Sequence, residues 1–289
     1  MRRKEGRMIK EREVQLVAGG FSRENAFVLE GAAFDIGTRV IKWDEKGGFN
    51  QYLTNRSEVK VEDRKTGKVT TKVIAGKRYK KRAEGVASIT QFFVHHSGGD
   101  GRNPSGMYET LHNQRGLSVH FAVEDDGRIY QFLDAVECAY HAGGHNGFSI
   151  GVECALYPDA DASPDYYSAA NCAKRGNLPH AVREEVLQGV RRRVFVMPDQ
   201  QVEALARLAA GCWCGLMLRT GKQEFERPPA FPRAGNAIPR AVYAGHEKHV
   251  GLIGHLQCTD HKWDPAGFPW ELFESRVAVL YQDMVARLT

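Results

Sequence analysis

No stretch of this 289-residue sequence approaches eighteen uninterrupted apolar residues, so a membrane-spanning helix is not expected. No apolar segment with a small-residue cleavage site follows the basic start MRRKEGRMIKEREV, so a standard secretory signal is not expected either. The expected location is cytoplasmic as synthesised, with any action on a cell wall following lysis or a non-standard export route. Cysteine is sparse: Cys138, Cys154, Cys172, Cys212, Cys214 and Cys258 form no C-x-x-C pair. That disfavours a disulfide scaffold and fits reduced thiols. The Cys212-Trp213-Cys214 spacing suits buried helix thiols better than a zinc knuckle. Internal repeats are lacking, and so is an acidic excess. The net charge of +5 and pI near 8.8 suit an anionic partner (cell-wall polymer, nucleic acid or lipid head group) without selecting one. The basic run GKRYKKR reads as a solvated loop. No nucleic-acid reading motif accompanies it or Arg191 to Arg193, so no specific nucleic-acid partner is expected.

What is present is 42% hydrophobic and 26% charged, the balance of a soluble globular chain able to bury an ample core. Residues 1–14 read as a frayed charged arm. Residues 15–85 are β-like and turn-rich, with Thr66-Gly67 as a hairpin turn. Ile89 to Val94 reads as a buried strand ended by Ser97-Gly98-Gly99. Asn103-Pro104-Ser105 opens a helix that Gly116 stops. LSVHFAVEDDGRIYQF is a hairpin about Asp126-Gly127, and SIGVECALY is a further strand. Residues 157–180 read as a long surface loop, and AVREEVLQGVRRRVFV as an amphipathic helix. DQQVEALARLAAGCWCGLML and WELFESRVAVLYQDMVARL are helices by their apolar spacing. The expected fold is α/β, a mixed central β-sheet flanked by helices with the site in a groove at strand ends. Residues 1–85 are expected to be a β-rich extension, and 86–289 a catalytic domain with an insertion at about 157–197.

The chemistry concentrates in GHLQCTDHKWDP, which holds His255, Cys258, Asp260, His261, Lys262 and Asp264. His95 and His255 each end an apolar strand, and two such imidazoles can share one ion if the strands are neighbours. A catalytic zinc takes three protein ligands and keeps one open position. The third ligand must follow His255. Asp264 is attractive because Pro265 constrains its backbone; Cys258 competes as a thiolate; Asp260 and His261 remain open.

The blocks FFVHHSGG, LSVHFAVEDDGRIYQF, YHAGGHNGFSIGVE and GHLQCTDHKWDPAGFPW, in that order, resemble the zinc-dependent N-acetylmuramoyl-L-alanine amidase family, which includes phage amidases, muropeptide-recycling enzymes and peptidoglycan recognition proteins. The likeness covers roughly residues 86–156 and 198–285. It implies Zn2+ on His95, His255 and Asp264, with Lys262 as the catalytic lysine of K-x-[D/C]-P. Some members use a tyrosine where Val119 stands, and valine cannot serve. Recycling-type members use the glutamate of S-I-G-[IV]-E, here Glu153, so the chain looks closer to that branch. His141, Asn146 and His96 are the implied substrate-binding positions, with loop hydrogen bonding an equal reading for the first two. Ser118 and His120 match S-x-H, where a structural role is expected for His120.

The implied reaction is hydrolysis of the amide between the lactyl group of N-acetylmuramic acid and L-alanine, with peptidoglycan or muropeptides as substrate. Zinc would polarise the carbonyl, Glu153 would move the proton and Lys262 would donate to the oxyanion. Three rivals stand beside it: a non-catalytic peptidoglycan binder of the same fold, a zinc amidase acting on another amide substrate, and a cysteine hydrolase using Cys154 or Cys258.

Overall fold

A computed structural model describes residues 12–54, 57–62 and 66–288, so residues 1–11 of the expected arm lie outside the described residues. Strands β1 (Glu13–Gln15), β2 (Ala26–Leu29) and β3 (Ala32–Asp35) form a small sheet in the order β1-β3-β2. β4 (Val40–Lys42) leaves it for the edge of the main sheet. The N-terminal segment therefore supplies a strand to the central sheet, and Leu16, Phe27, Phe34 and Ile36 share its hydrophobic core. β5 (Ser57–Glu62) and β6 (Val69–Ile74) pair as a mostly exposed antiparallel hairpin about Thr66-Gly67; residues 63–65 of its loop lie outside the described residues. GKRYKKR is not simply solvated. It contains β7 (Tyr79–Lys80), and its Arg78 and Arg82 are buried. Arg82 donates to the carbonyls of Asn146 and Ser149, and Arg78 to that of His112. A guanidinium can go inside where its fixed donors meet loop carbonyls that would otherwise be buried without partners.

The main sheet also contains β8 (Gln91–His96), β9 (Phe121–Val123), β10 (Ile129–Gln131), β12 (Ser149–Cys154) and β15 (Gly251–Gly254). Its order is β15-β8-β12-β9-β10-β4. The first four run parallel, β10 is antiparallel to β9 about the expected Asp126-Gly127 turn, and β4 is parallel to β10. β8 and β12 are buried almost throughout, as central parallel strands must be. β11 (Cys138–Ala139) pairs with β7 outside this sheet.

Helix α1 (Pro104–Tyr108) starts where expected: the Asn103 side chain accepts from the Gly106 amide at 2.8 Å. It continues as a π-helical segment, Glu109–Arg115, and ends at Gly116 with φ +66°. Residues 157–180 are not structureless, because Ser168 caps α2 (Ala169–Arg175). The stretch expected to be an amphipathic helix is instead a hairpin of β13 (Val182–Leu187) and β14 (Val190–Phe195). Its two-residue turn, Gln188-Gly189, has φ values of +52° and +74°, the backbone that matches the twist of paired strands. The valines at 182, 186, 190 and 194 satisfy both periods, and the turn decides between them.

α3 (Asp199–Thr220) and α4 (Trp270–Leu288) pack on each other and against the sheet. Cys212 and Cys214 are buried in α3, as expected. Among the described residues no helix is long and apolar enough to cross a membrane. α3 also approaches the small sheet closely: a Cβ on Gly211 would lie 2.3 Å from Ile36 Cγ2. Gly211→Val should therefore destabilise the protein by about 1–3 kcal/mol through overpacking. Thermal denaturation tests this, and an unchanged midpoint would show that the two layers are not in contact there.

Candidate metal centre and active site

Parallel pairing places three chemical side chains in a row. Glu153 on β12 is in register with His95 on β8, and Gly254 on β15 is in register with Val94. His255 therefore emerges beside His95. Register partners on parallel strands project from the same face at about 4.8 Å spacing, so His255, His95 and Glu153 share one end of the sheet. Asp264 returns along the following loop, with its carbonyl accepting from the Leu256 amide at 2.7 Å.

The convergence is tight. His95 Nδ1 lies 3.0 Å from His255 Nδ1, and Asp264 Oδ2 lies 3.1 Å from each. Burial pushes the His95 pKa down to about 4, keeping the imidazole neutral and able to ligate. Burial alone would raise Asp264, but the hydrogen bond from His255 and the interaction with both imidazoles outweigh it and hold the carboxyl well below the usual range. Two imidazoles and an ionised carboxylate, three donor atoms meeting at one point, form a donor set that suits zinc.

A hydrogen-bond chain behind His95 fixes its tautomer. Ser149 Oγ donates to the His145 carbonyl at 2.7 Å, which can only accept. The hydroxyl oxygen then accepts from His141 Nε2 at 3.1 Å, so His141 Nδ1 carries a lone pair and accepts from His95 Nε2 at 3.0 Å. The lone pair on His95 Nδ1 is left facing His255 and Asp264. Outer-shell orientation of this kind sets ligand geometry and basicity.

Glu153 stands next to this group, and among the described residues its buried Oε2 has no hydrogen-bond partner. Burial first, and the negative charge of Asp264 second, push its pKa up to about 8; Arg115 and Lys262 oppose this only partly. A cavity of about 460 Å³ opens onto His95, Glu153, His255 and Asp264. Lys262 and Arg115, both exposed, also line it.

A family model described as N-acetylmuramoyl-L-alanine amidase matches residues 85–267. The chain belongs to the N-acetylmuramoyl-L-alanine amidase family. It is thus an amide hydrolase of peptidoglycan. The amidase is similar to the solved structure of AmpDh3 from Pseudomonas aeruginosa in complex with an anhydromuramic pentapeptide: 16% identity, TM-score 0.40, 65% of this chain and 60% of that one. It is also similar to the endolysin amidase LysCS from Clostridium intestinale, at 15% identity and TM-score 0.37 over 66% of this chain and 84% of that one. Drosophila PGRP-LB is similar at 14% identity and TM-score 0.36, over 82% and 93% of the two chains. No curated protein matches the amidase in sequence.

The other expected site residues of the amidase divide. His96 lines the cavity, accepts from the Ala266 amide through Nδ1 at 3.0 Å, and packs edge-on against Trp263. His141 lines it too, although both its ring nitrogens are engaged in the chain behind His95. Asn146 instead ties the loop: its side-chain oxygen accepts from the amides of His141 at 3.0 Å and Ala142 at 2.7 Å. His120 is structural, accepting from the Gly151 amide and donating to the Glu137 carbonyl. Cys258 is not part of the His95 group and falls with His145 and His246. As nucleophiles the cysteines are unsuited, since burial raises the Cys154 thiol far above its ordinary range and the Cys258 thiol to about 12.

Three contributors are not among the expected site residues. Arg115 and Trp263 reach the cavity from a helix end and from the loop. Gln188, at the tip of the β13-β14 hairpin, shares the two N–H groups of Nε2 among the carbonyls of Leu256 at 2.7 Å, Thr259 at 2.8 Å and Lys262 at 3.0 Å. It pins the loop between His255 and Asp264; the alternation about Gln188-Gly189 was its only sequence signal. Gln188→Ala should lower kcat by about tenfold through loosened positioning, with one zinc at the His95 group retained. Steady-state kinetics and metal analysis check this. An unchanged kcat would mean that the loop holds itself.

Proposed function

We propose that the protein is a zinc-dependent amidase cleaving the bond between the lactyl group of N-acetylmuramic acid and L-alanine in peptidoglycan or its soluble muropeptides. The observation that carries this reading is Glu153, whose buried Oε2 has no hydrogen-bond partner among the described residues, lining the same cavity as the converged His95, His255 and Asp264. Zinc on those three ligands would supply a Lewis acid that polarises the scissile carbonyl and activates water. Glu153 takes the water proton and later delivers it to the departing nitrogen. Lys262 donates to the oxyanion, and His141 holds His95 in the ligating tautomer. The cationic rim of Arg115 and Lys262 suits the carboxylates of an acidic stem peptide. With Val119 fully buried and apolar, Glu153 supports a recycling-type use of the proton.

The test is to strip the protein with a chelator, restore zinc, and analyse products from a muramyl-pentapeptide by mass spectrometry. A zinc-dependent cut that frees a peptide with N-terminal alanine is expected. Tight substrate binding without a cut would replace the enzyme with a recognition protein, and a chelator-insensitive cut would remove the metal from the reading. Lys262→Met should reduce kcat by about 10²–10³-fold without changing zinc content. A loss below tenfold would assign oxyanion stabilisation elsewhere.

A further inference from the structure

A second group of metal-ligating side chains lies outside the catalytic cavity, and its hydrogen bonds are organised like those of the first. β8 presents Gln91, Phe93 and His95 on one face, as alternate residues of a strand do. His95 serves the catalytic cluster. The Phe93 ring packs against His95 and His255 at centroid distances of 4.7 and 5.5 Å, and against His145 at 5.4 Å, so it stands between two clusters. Gln91 serves the second of them.

The Gln91 amide nitrogen donates to the carbonyls of His246 at 2.6 Å and His249 at 2.9 Å. Its oxygen must then be the acceptor for His145 Nδ1, 2.8 Å away. The proton of the buried His145 imidazole is thereby on Nδ1, and the lone pair of Nε2 points toward His246 Nδ1 at 2.9 Å. Cys258 Sγ completes the group, all three donor atoms lying within 4.8 Å of one another. Among the described residues the thiol has only a long contact, 3.7 Å, to the Gly254 carbonyl. The nitrogen-nitrogen separation is close to the 3.0 Å at the catalytic cluster. His246 and Cys258 are half-buried, which leaves a route for an ion.

We propose that His145, His246 and Cys258 form a second metal site for a borderline-soft divalent ion of the zinc class, distinct from the His95, His255 and Asp264 centre. Two imidazoles and one thiolate match that class of ion, with a fourth position left for water. Binding releases the thiol proton. The ion joins the turn before β12 to the two loops that flank β15, about a hundred positions later. Cys258 caps the short helical turn that begins at His255, so the site anchors the turn carrying a catalytic ligand from its far end. Its role is that of a clip, and its occupancy adds stability by mass action.

The test uses full-length protein freed of metal and titrated with Co2+, then Zn2+, alone. Wild type should bind two equivalents, one of them giving a near-ultraviolet thiolate-to-cobalt charge-transfer band. Cys258→Ser should lose that band and one equivalent. His246→Gln, which leaves the thiol in place, should weaken the same equivalent by at least tenfold, so the result does not rest on one variant folding. Asp264→Asn should lose the other equivalent and keep the band, separating failure of this inference from failure of the catalytic assignment. A single equivalent without a thiolate band, or a band that survives Cys258→Ser, overturns the proposal.

Discussion

Replacing Glu153 with glutamine is expected to lower kcat by about 10²–10⁴-fold, leave zinc content unchanged, and stabilise the metal-free protein at neutral and alkaline pH. Glutamine keeps the volume and removes the ionisable group. The stability gain follows from the raised pKa of Glu153, about 8 in the metal-free fold against an unfolded value of about 4.3. A carboxyl whose folded pKa is raised contributes stability that is full below its unfolded pKa. That stability is lost as pH climbs through the window up to the folded pKa. Wild type should thus lose stability from about pH 4.3 to about pH 8, and Glu153→Gln should not. A difference on the order of 4–5 kcal/mol by pH 8 is expected. Thermal midpoints of the chelated proteins across this range, with kcat on a muramyl peptide, test both halves. A kcat within tenfold of wild type would remove Glu153 from proton transfer. Parallel pH profiles would mean that its carboxylate finds partners. A cation held by His95, His255 and Asp264 would pull Glu153 back down, so the pH effect should shrink when zinc is restored.

Asp264→Asn should have the opposite effect on stability and an equal or larger one on activity. Two imidazoles hold this carboxyl ionised in the fold. Its contribution is therefore present above the unfolded pKa of about 3.9 and lost as pH falls through the lower folded value. Asparagine forfeits the charge-assisted hydrogen bond from His255, about 1.5–3 kcal/mol, so the metal-free variant should be less stable than wild type at neutral pH. Losing even an outer-shell partner typically costs about 10–100-fold in metal affinity. Removing a ligand should exceed this, and hydrolysis should fall to background at micromolar zinc. Isothermal titration with zinc and the same thermal series decide the matter, and retained affinity would move the third ligand elsewhere. Two carboxyls in one cavity with pKa values driven apart in opposite directions is the arrangement that separates a proton carrier from a fixed charge.

Much of this was legible along the chain. The apolar run before His95, the strand before His255, the S-I-G-V-E strand and the Asp126-Gly127 turn all carry short-range signals, and the folded elements follow them. The 182–195 segment did not read correctly, because its valines serve a helical and a strand period equally well and only the backbone at Gln188-Gly189 separates the two. The GKRYKKR run misled for a different reason. Whether an arginine is solvated depends on carbonyls that the chain supplies at residues 112, 146 and 149.

The sequence by itself determined the inventory: which residues end strands, which types can ligate or move protons, and in what order they come. Only the tertiary structure decided which of them meet. His95 and His255 are 160 positions apart, and His95 and Asp264 are 169. Hydrophobic periodicity tells a strand which face to bury but not which strand lies beside it. The pairing of β15 and β12 on either side of β8 made a centre of scattered residues. It turned His141 into the support of His95, and it sent Cys258, three residues beyond His255, to His145 and His246 instead.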